Sequence, residues 1–171
     1  MLIKNIVMKN EKWIIFDLDG TLADIEDRRR LCTKENGKMD WNEFFDPINI
    51  SLDKPNWPII NTLKAFQEAG YRIAIFSGRS ARTEDATHNW LMSHMCHYDV
   101  LKMRPENHPY KFMPDEKLKS DWFGNIFANH TDEPEVICVF DDRQKVVDMW
   151  REIGLTCMQV APGEWPPKNI L

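Results

Sequence analysis

Short runs of apolar, β-branched and aromatic residues recur along the chain at 13–17, 71–76, 99–103, 135–140 and 155–160. Turn-forming residues bound each run, and the lengths and compositions predict strands. Between the runs the apolar positions change to helical spacing. Ile59, Ile60, Leu63, Phe66 and Ala69 fall on one face of a helix that begins at Pro58, a favoured first-turn residue, and stops at Gly70. Further helices are predicted over 83–95, 115–127 and 144–153, the last stopping at Gly154. Strands alternating with helices predict a mostly parallel sheet with right-handed crossovers and helices on both faces, a three-layer α/β arrangement. In such sheets ligands collect beyond the carboxyl ends of the strands, where the strand order reverses.

Residues 25–54 break this rhythm. They carry Arg28, Arg29, Arg30, Trp41, Phe44 and Phe45 where a single crossover helix would suffice, and Pro55, Asn56, Trp57 and Pro58 punctuate their end. The expected organisation is one domain over 1–171, with a core of about 11–24 and 55–171 and a small, mainly helical cap insert over 25–54 leaning across the sheet edge.

Composition narrows the picture. In 171 residues, 43% hydrophobic with 7 Trp and 9 Phe, there is enough apolar surface for a sizeable core, which excludes wholesale disorder. No apolar run approaches the ~18 residues of a membrane-spanning helix, so no membrane partner is expected. The first ten residues lack a long apolar stretch followed by small residues, and export is not expected. Cys32, Cys96, Cys138 and Cys157 form no C-x-x-C pair and read as buried reduced thiols, which fits a cytoplasmic location. A formal net charge of -5 argues against a general sheath for duplex nucleic acid, whose binding depends on many Lys and Arg contacts to phosphates.

The chemistry-bearing residues gather at predicted strand ends. The first strand runs into Asp17, Leu18, Asp19, Gly20 and Thr21. Residues two apart on a strand project to one side, so Asp17 and Asp19 emerge together, and Gly20 lets the backbone turn sharply away. Two such carboxylates favour a hard divalent cation, with Mg²⁺ the expected ion. A second acidic pair, Asp141 and Asp142, follows the strand ending at Phe140. A third strand ends in Phe76, Ser77, Gly78 and Arg79, offering a hydroxyl, a close backbone approach and a planar cationic fork suited to phosphate oxygens. If the three strands are neighbours, all of these meet in one crevice. His88, His94, Cys96 and His97 are close in sequence but lack the second ligand pair of a structural zinc site. Gly37, Lys38 and Met39 lack the flanking residues of a phosphate-binding loop.

Taken in order, D-x-D-G-T at 17–21, the hydroxyl at Ser77, a lysine, and the pair Asp141 and Asp142 resemble the four motifs of haloacid dehalogenase-like phosphohydrolases. Within that superfamily the chain resembles the phosphatase domain of phage-type polynucleotide kinase-phosphatases. The likeness lies in D-L-D-G-T-L-A-D-I with Arg28 downstream, S-G-R, and D-D-R-Q-K-V-V-D-M-W-R-E-I-G-L-T-C-M-Q-V, and spans roughly 13–161. The family pattern places an aspartate four residues before its lysine, which selects Asp115 with Lys119 and leaves Lys117 as the runner-up. No phosphate-binding loop of a kinase half accompanies these motifs, a departure from the two-domain relatives.

The resemblance implies a Rossmann-like core and a Mg²⁺-dependent phosphomonoesterase. Asp17 would attack the substrate phosphorus and form an aspartyl-phosphate, while Asp19 would protonate the leaving oxygen and then activate water. Mg²⁺ would be held by Asp17, the backbone carbonyl of Asp19 and Asp141, with Asp142 acting through water or by orienting Lys119. Ser77 and Lys119 would grip the phosphoryl oxygens and Thr21 would order the loop. Arg28 and Arg79 are the expected substrate-recognition residues, with Thr21, Gly78 and Asp115 in the same binding set, whereas Arg29 and Arg30 read as solvated neighbours. The expected substrate is a 3′-phosphate at a nucleic-acid end. Free nucleoside or deoxynucleoside monophosphates are the alternative, and a non-catalytic nucleotide-binding module is a third reading. Trp41, Phe44 and Phe45 read first as the insert's own small core and second as a surface for a base.

Overall fold

A computed structural model describes residues 11–128 and 134–160, so the first ten residues, on which the export expectation rests, lie outside the described residues. Strand β1 (Lys12–Phe16) is followed by the two-residue β2 (Ala23–Asp24) and by three short helices, α1 (Glu26–Cys32), α2 (Trp41–Phe44) and α3 (Pro47–Ile50). Strand β3 (Lys54–Pro55) closes this insert by pairing antiparallel with β2, Ala23 opposite Pro55 and Asp24 opposite Lys54. The chain then alternates through α4 (Trp57–Glu68), β4 (Arg72–Ser80), α5 (Glu84–Ser93), β5 (Val100–Arg104), α6 (Asp115–Phe123), β6 (Glu135–Asp141), α7 (Gln144–Glu152) and β7 (Cys157–Gln159). The five longer strands form one parallel sheet in the order β5-β4-β1-β6-β7. From β1 the chain builds outward to β5 on one side and then returns to build β6 and β7 on the other, so the reversal of strand order falls at β1.

The two-residue period of β1 explains the layering. Ile14 and Phe16 join Ile60 and Leu63 of α4, Ile73 and Ile75 of β4, and Trp90 and Leu91 of α5 in one core. Trp13 and Ile15 face the other way, into Ala74, Phe76, Leu118, Trp122, Val147 and Trp150 beneath α6 and α7. The side chains of Trp13, Ile14, Ile15 and Phe16 are all fully buried, which accounts for a first strand that reads as a continuous apolar run. The α/β class, the parallel sheet with helices on both faces, and the cap insert after the first strand are all as the sequence predicts.

Three details differ. Helix α4 begins at Trp57, one residue before Pro58, with Asn56 as its cap. The helix expected over 115–127 ends at Phe123 and continues as a π-turn, Gly124–Ala128, which still buries Ile126 and Phe127. Strand β4 runs past Phe76 to Ser80, and its register with β5 slips between Ser77, opposite Met103, and Ser80, opposite Arg104. Gly78 and Arg79 are therefore unopposed, a bulge that re-aims both at the sheet's carboxyl edge.

Side-chain caps hold the insert in shape. Asp40 accepts from the N–H groups of Asn42 and Glu43 at the start of α2, and Asp46 accepts from that of Ile48 in α3. All four cysteines are buried and unpaired. Among the described residues no helix is long and apolar enough to cross a membrane.

Leu63 is fully buried against the sheet, away from the acidic strand ends. Leu63→Ala is expected to lower unfolding stability by about 2–5 kcal/mol, read as a drop in the urea midpoint at unchanged slope.

Candidate active site

The carboxyl ends of β1, β4 and β6 lie side by side, and a lysine reaches them from α6. The Lys119 ammonium donates to Asp17 Oδ1 at 2.6 Å and to Asp141 Oδ2 at 2.7 Å, joining residues 102 and 22 positions away in sequence. Lys119 is only 2% exposed, whereas Lys117 two residues earlier points to solvent, because one helical turn cannot direct both side chains into the sheet. The two carboxylates raise the affinity of Lys119 for its proton well above the ordinary range despite burial.

Asp17, Asp141 and Asp142 each bring a carboxylate oxygen within 4.8 Å of the other two, all buried. Burial is the largest influence on Asp17; with the charges of Asp141 and Asp142 it outweighs Lys119 and pushes Asp17 up to about 8. Burial, assisted by Asp141, raises Asp142 to about 6. It is Asp141, not Asp142, that hydrogen-bonds Lys119, and Asp142 Oδ1 is buried without a partner. The backbone cradle is tight: at Gly20, φ +92°, a Cβ would sit 2.3 Å from Asp142 Oδ2. These features fit a hard divalent cation, which takes carboxylate oxygens and would occupy the unpartnered Asp142 oxygen.

Asp19 turns its carboxylate away from that cluster. Its Oδ1 accepts from Arg28 Nη2 at 2.8 Å and from Arg79 Nε and Nη2 at 2.8 and 2.5 Å. Burial acts to raise Asp19, but Arg79 and Arg28 overcome it and hold the carboxyl down at about 2. All three bonds fall on Oδ1 and the side chain is 20% exposed, which leaves Oδ2 as the oxygen available for proton exchange.

Both arginines are also held from behind by a residue that the sequence does not single out. Asp53, at the exit of the insert, accepts from Arg28 Nε at 2.8 Å and from Arg79 Nη2 at 2.6 Å, with no exposed side-chain surface on any of the three. The Asp53 backbone carbonyl in turn accepts from Trp90 Nε1 at 2.9 Å. Arg28 further donates to the Phe44 carbonyl at 3.0 Å and lies 4.2 Å above the Phe44 ring, and Arg79 Nη1 donates to Thr87 Oγ1 at 3.3 Å. Burial and the charge of Asp19 raise Asp53 above the usual carboxyl range even so. Nothing local in the sequence marks Asp53, which stands at the end of the segment that carries Arg28.

The remaining predicted residues are placed as follows. Ser77 is fully buried and its hydroxyl accepts from the Arg79 N–H at 3.2 Å. A Cβ at Gly78 would meet Asp115 Oδ1 at 3.0 Å, a tight contact, so its close approach is to that carboxylate. Asp115, in the first turn of α6, pairs with Arg104 at the end of β5 and with Arg143 after β6, tying two strand ends to the start of the helix. Thr21 is fully buried and orders the loop through its main chain: its N–H donates to the Leu18 carbonyl at 3.2 Å and its carbonyl accepts from Asn56 Nδ2 at 2.9 Å. His88 and His94 bond to the Tyr98 hydroxyl and the Trp90 carbonyl.

Counting charges gives the site its character. Five carboxylates, Asp17, Asp19, Asp53, Asp141 and Asp142, gather around the bases Lys119, Arg28 and Arg79, with Arg29 acting on Asp142 and Arg143 on Asp17 as well.

A parallel sheet reversing at β1, with a buried acid–lysine cluster at that point, defines a haloacid dehalogenase-like phosphatase. The chain belongs to the polynucleotide kinase PNKP phosphatase domain family, whose model matches residues 11–165. Over 148 residues it is 31% identical to the protein named "Putative bifunctional polynucleotide kinase/RNA ligase" of Autographa californica nuclear polyhedrosis virus, covering 83% of this chain and 18% of that protein. It is similar at 30% identity and a TM-score of 0.70 to a chain of the Pnkp1/Rnl/Hen1 RNA repair complex, covering 91% of this chain and 44% of that one. The chain thus spans less than half the length of these relatives. The class C acid phosphatase of Bacillus anthracis shares the fold, with a TM-score of 0.57 at 17% identity over 81% of this chain and 54% of that one.

Asp53→Ala leaves two buried guanidiniums with Asp19 in place of two carboxylates to share. It is expected to cost about 3–5 kcal/mol of stability, measured by chemical denaturation.

Proposed function

We propose that this chain is a Mg²⁺-dependent phosphomonoesterase that removes a 3′-phosphate from a nucleic-acid end through a covalent phosphate on Asp17. The observation that carries this reading is the convergence of Asp17, Lys119, Asp141 and Asp142 at the reversal of the sheet. Asp17, Asp141 and Asp142 have the donor set to hold the ion. When bound, Mg²⁺ supplies charge neutralisation between the Asp17 carboxylate and the incoming phosphoryl oxygens.

Asp17 forms the new O–P bond as the bond from phosphorus to the ribose oxygen breaks. Lys119 keeps the attacking carboxylate in place and compensates charge on the phosphoryl group, and Ser77 adds a hydroxyl donor. Asp19 delivers the proton that the departing oxygen needs. Arg28 and Arg79 hold Asp19 ionised in the free protein, and the arrival of a phosphate dianion beside it favours proton uptake. Asp19, ionised again after that transfer, takes a proton from the water that attacks phosphorus, which releases inorganic phosphate and regenerates Asp17.

The relatives named for polynucleotide kinase, RNA ligase and RNA repair support a nucleic-acid end as substrate over a free nucleotide. The buried, unpaired thiols support a reducing, cytoplasmic setting.

Phosphate release from a 3′-phosphorylated oligonucleotide is expected to require Mg²⁺, to stop on chelation, and to exceed release from 3′- and 5′-mononucleotides. Asp17→Asn should reduce it by about four orders of magnitude or more. Faster turnover of mononucleotides would replace this reading with a nucleotidase.

A further inference from the structure

The three aromatics of α2 and its end do not share one environment. Phe44 is buried and forms the seat for the Arg28 guanidinium, 4.2 Å from its ring centroid. Trp41 is 61% exposed, stacked on Phe45 with centroids 5.9 Å apart and planes 20° apart, and braced edge-on by Phe44 at 5.6 Å. An indole presented to solvent in this way costs apolar surface, and the insert's own core does not need it, because Phe44 and Ile50 fill that interior.

Its support is rigid. Lys34 pairs with the Asp40 cap at 2.9 Å, Asn49 Nδ2 donates to the Glu43 carbonyl at 2.8 Å, and Arg28 holds the Phe44 carbonyl at 3.0 Å. Arg82, just beyond the β4 bulge, reaches the Asn42 carbonyl at 3.5 Å, so a guanidinium lies beside the same helix turn. The platform is continuous with the reaction centre: the indole packs on Phe44, Phe44 carries Arg28, and Arg28 is 2.8 Å from Asp19.

We propose that Trp41 is a base-stacking platform that makes the cap read a nucleobase at the phosphorylated end of the substrate. A flat aromatic face suits any base and selects for a stacked ring over a bare sugar phosphate, while the nearby Arg82 suits the polyanionic strand. The proposal rests on the phosphatase reading above and assigns its substrate preference to a single exposed side chain.

The test compares kcat/KM on two 3′-phosphorylated oligonucleotides, one with an intact terminal nucleotide and one whose terminal sugar is abasic. Trp41→Ala is expected to lower the preference for the base-bearing end by about tenfold, mainly through KM, and Trp41→Phe to restore most of it. A ratio unchanged in Trp41→Ala overturns the proposal, including the case in which both substrates slow equally, which marks a packing role. If the wild-type protein turns over neither substrate with Mg²⁺, the phosphatase reading fails. The platform is then decided separately by fluorescence of the Asp17→Asn protein titrated with each oligonucleotide. Quenching by the base-bearing strand that is absent for the abasic strand and lost in Asp17→Asn/Trp41→Phe supports it, and equal quenching in all cases overturns it.

Discussion

Carboxylates do not leave water without compensation, and the upper edge of this sheet is organised by that constraint. The Lys119 ammonium, suspended between Asp17 and Asp141, permits an acidic nucleophile candidate to be buried directly after the apolar run of β1. Everything around it serves the same end: α6 is positioned to deliver Lys119, Asp115 fixes the start of α6 by gripping arginines from two other strand ends, and Gly78 yields the space that Asp115 needs. Removing a single charge from such a cluster would leave its partners buried and unmatched, which is why the site and the stability of the fold cannot be tuned separately.

The opposite treatment of Asp17 and Asp19, two residues apart, shows how environment divides labour. Burial and neighbouring acids raise Asp17 above the usual carboxyl range, whereas two guanidiniums hold Asp19 below it. The strand period brings both to one edge, but different neighbours set their chemistry, Asp17 facing β6 and α6, Asp19 facing β4 and the insert. A bulge in β4 is what lets Arg79 turn toward Asp19 while Ser77, two residues earlier, stays in register.

The architecture was legible because each strand of the sheet is a local signal, an apolar run with turn residues at both ends, and because D-L-D-G-T and D-D-R place their acids at strand ends that parallel pairing must bring together. Lys119 was legible through its spacing from Asp115, and the structure separates it from Lys117 by helical phase. Asp53 was not legible: it sits in a stretch without periodicity, and its meaning depends on two arginines 25 and 26 residues away on either side. The partners of Asp115 were hidden for the same reason, since Arg104 and Arg143 meet it only through the third dimension. The cap aromatics divided between the two readings, Phe44 inside and Trp41 outside, because a four-residue helix has one interior face and three rings cannot all occupy it.

The insert looks detachable, entering at Ala23 and Asp24 and leaving at Lys54 and Pro55 through a ribbon of two residue pairs. Yet it contributes Arg28 and Asp53 to a charge lattice whose other members, Asp19 and Arg79, belong to the core. Transplanting a foreign cap onto this scaffold would therefore import a new lid and at the same time dismantle half of the lattice. The side of the cap that carries Arg28 and Asp53 is therefore as constrained as the sheet itself.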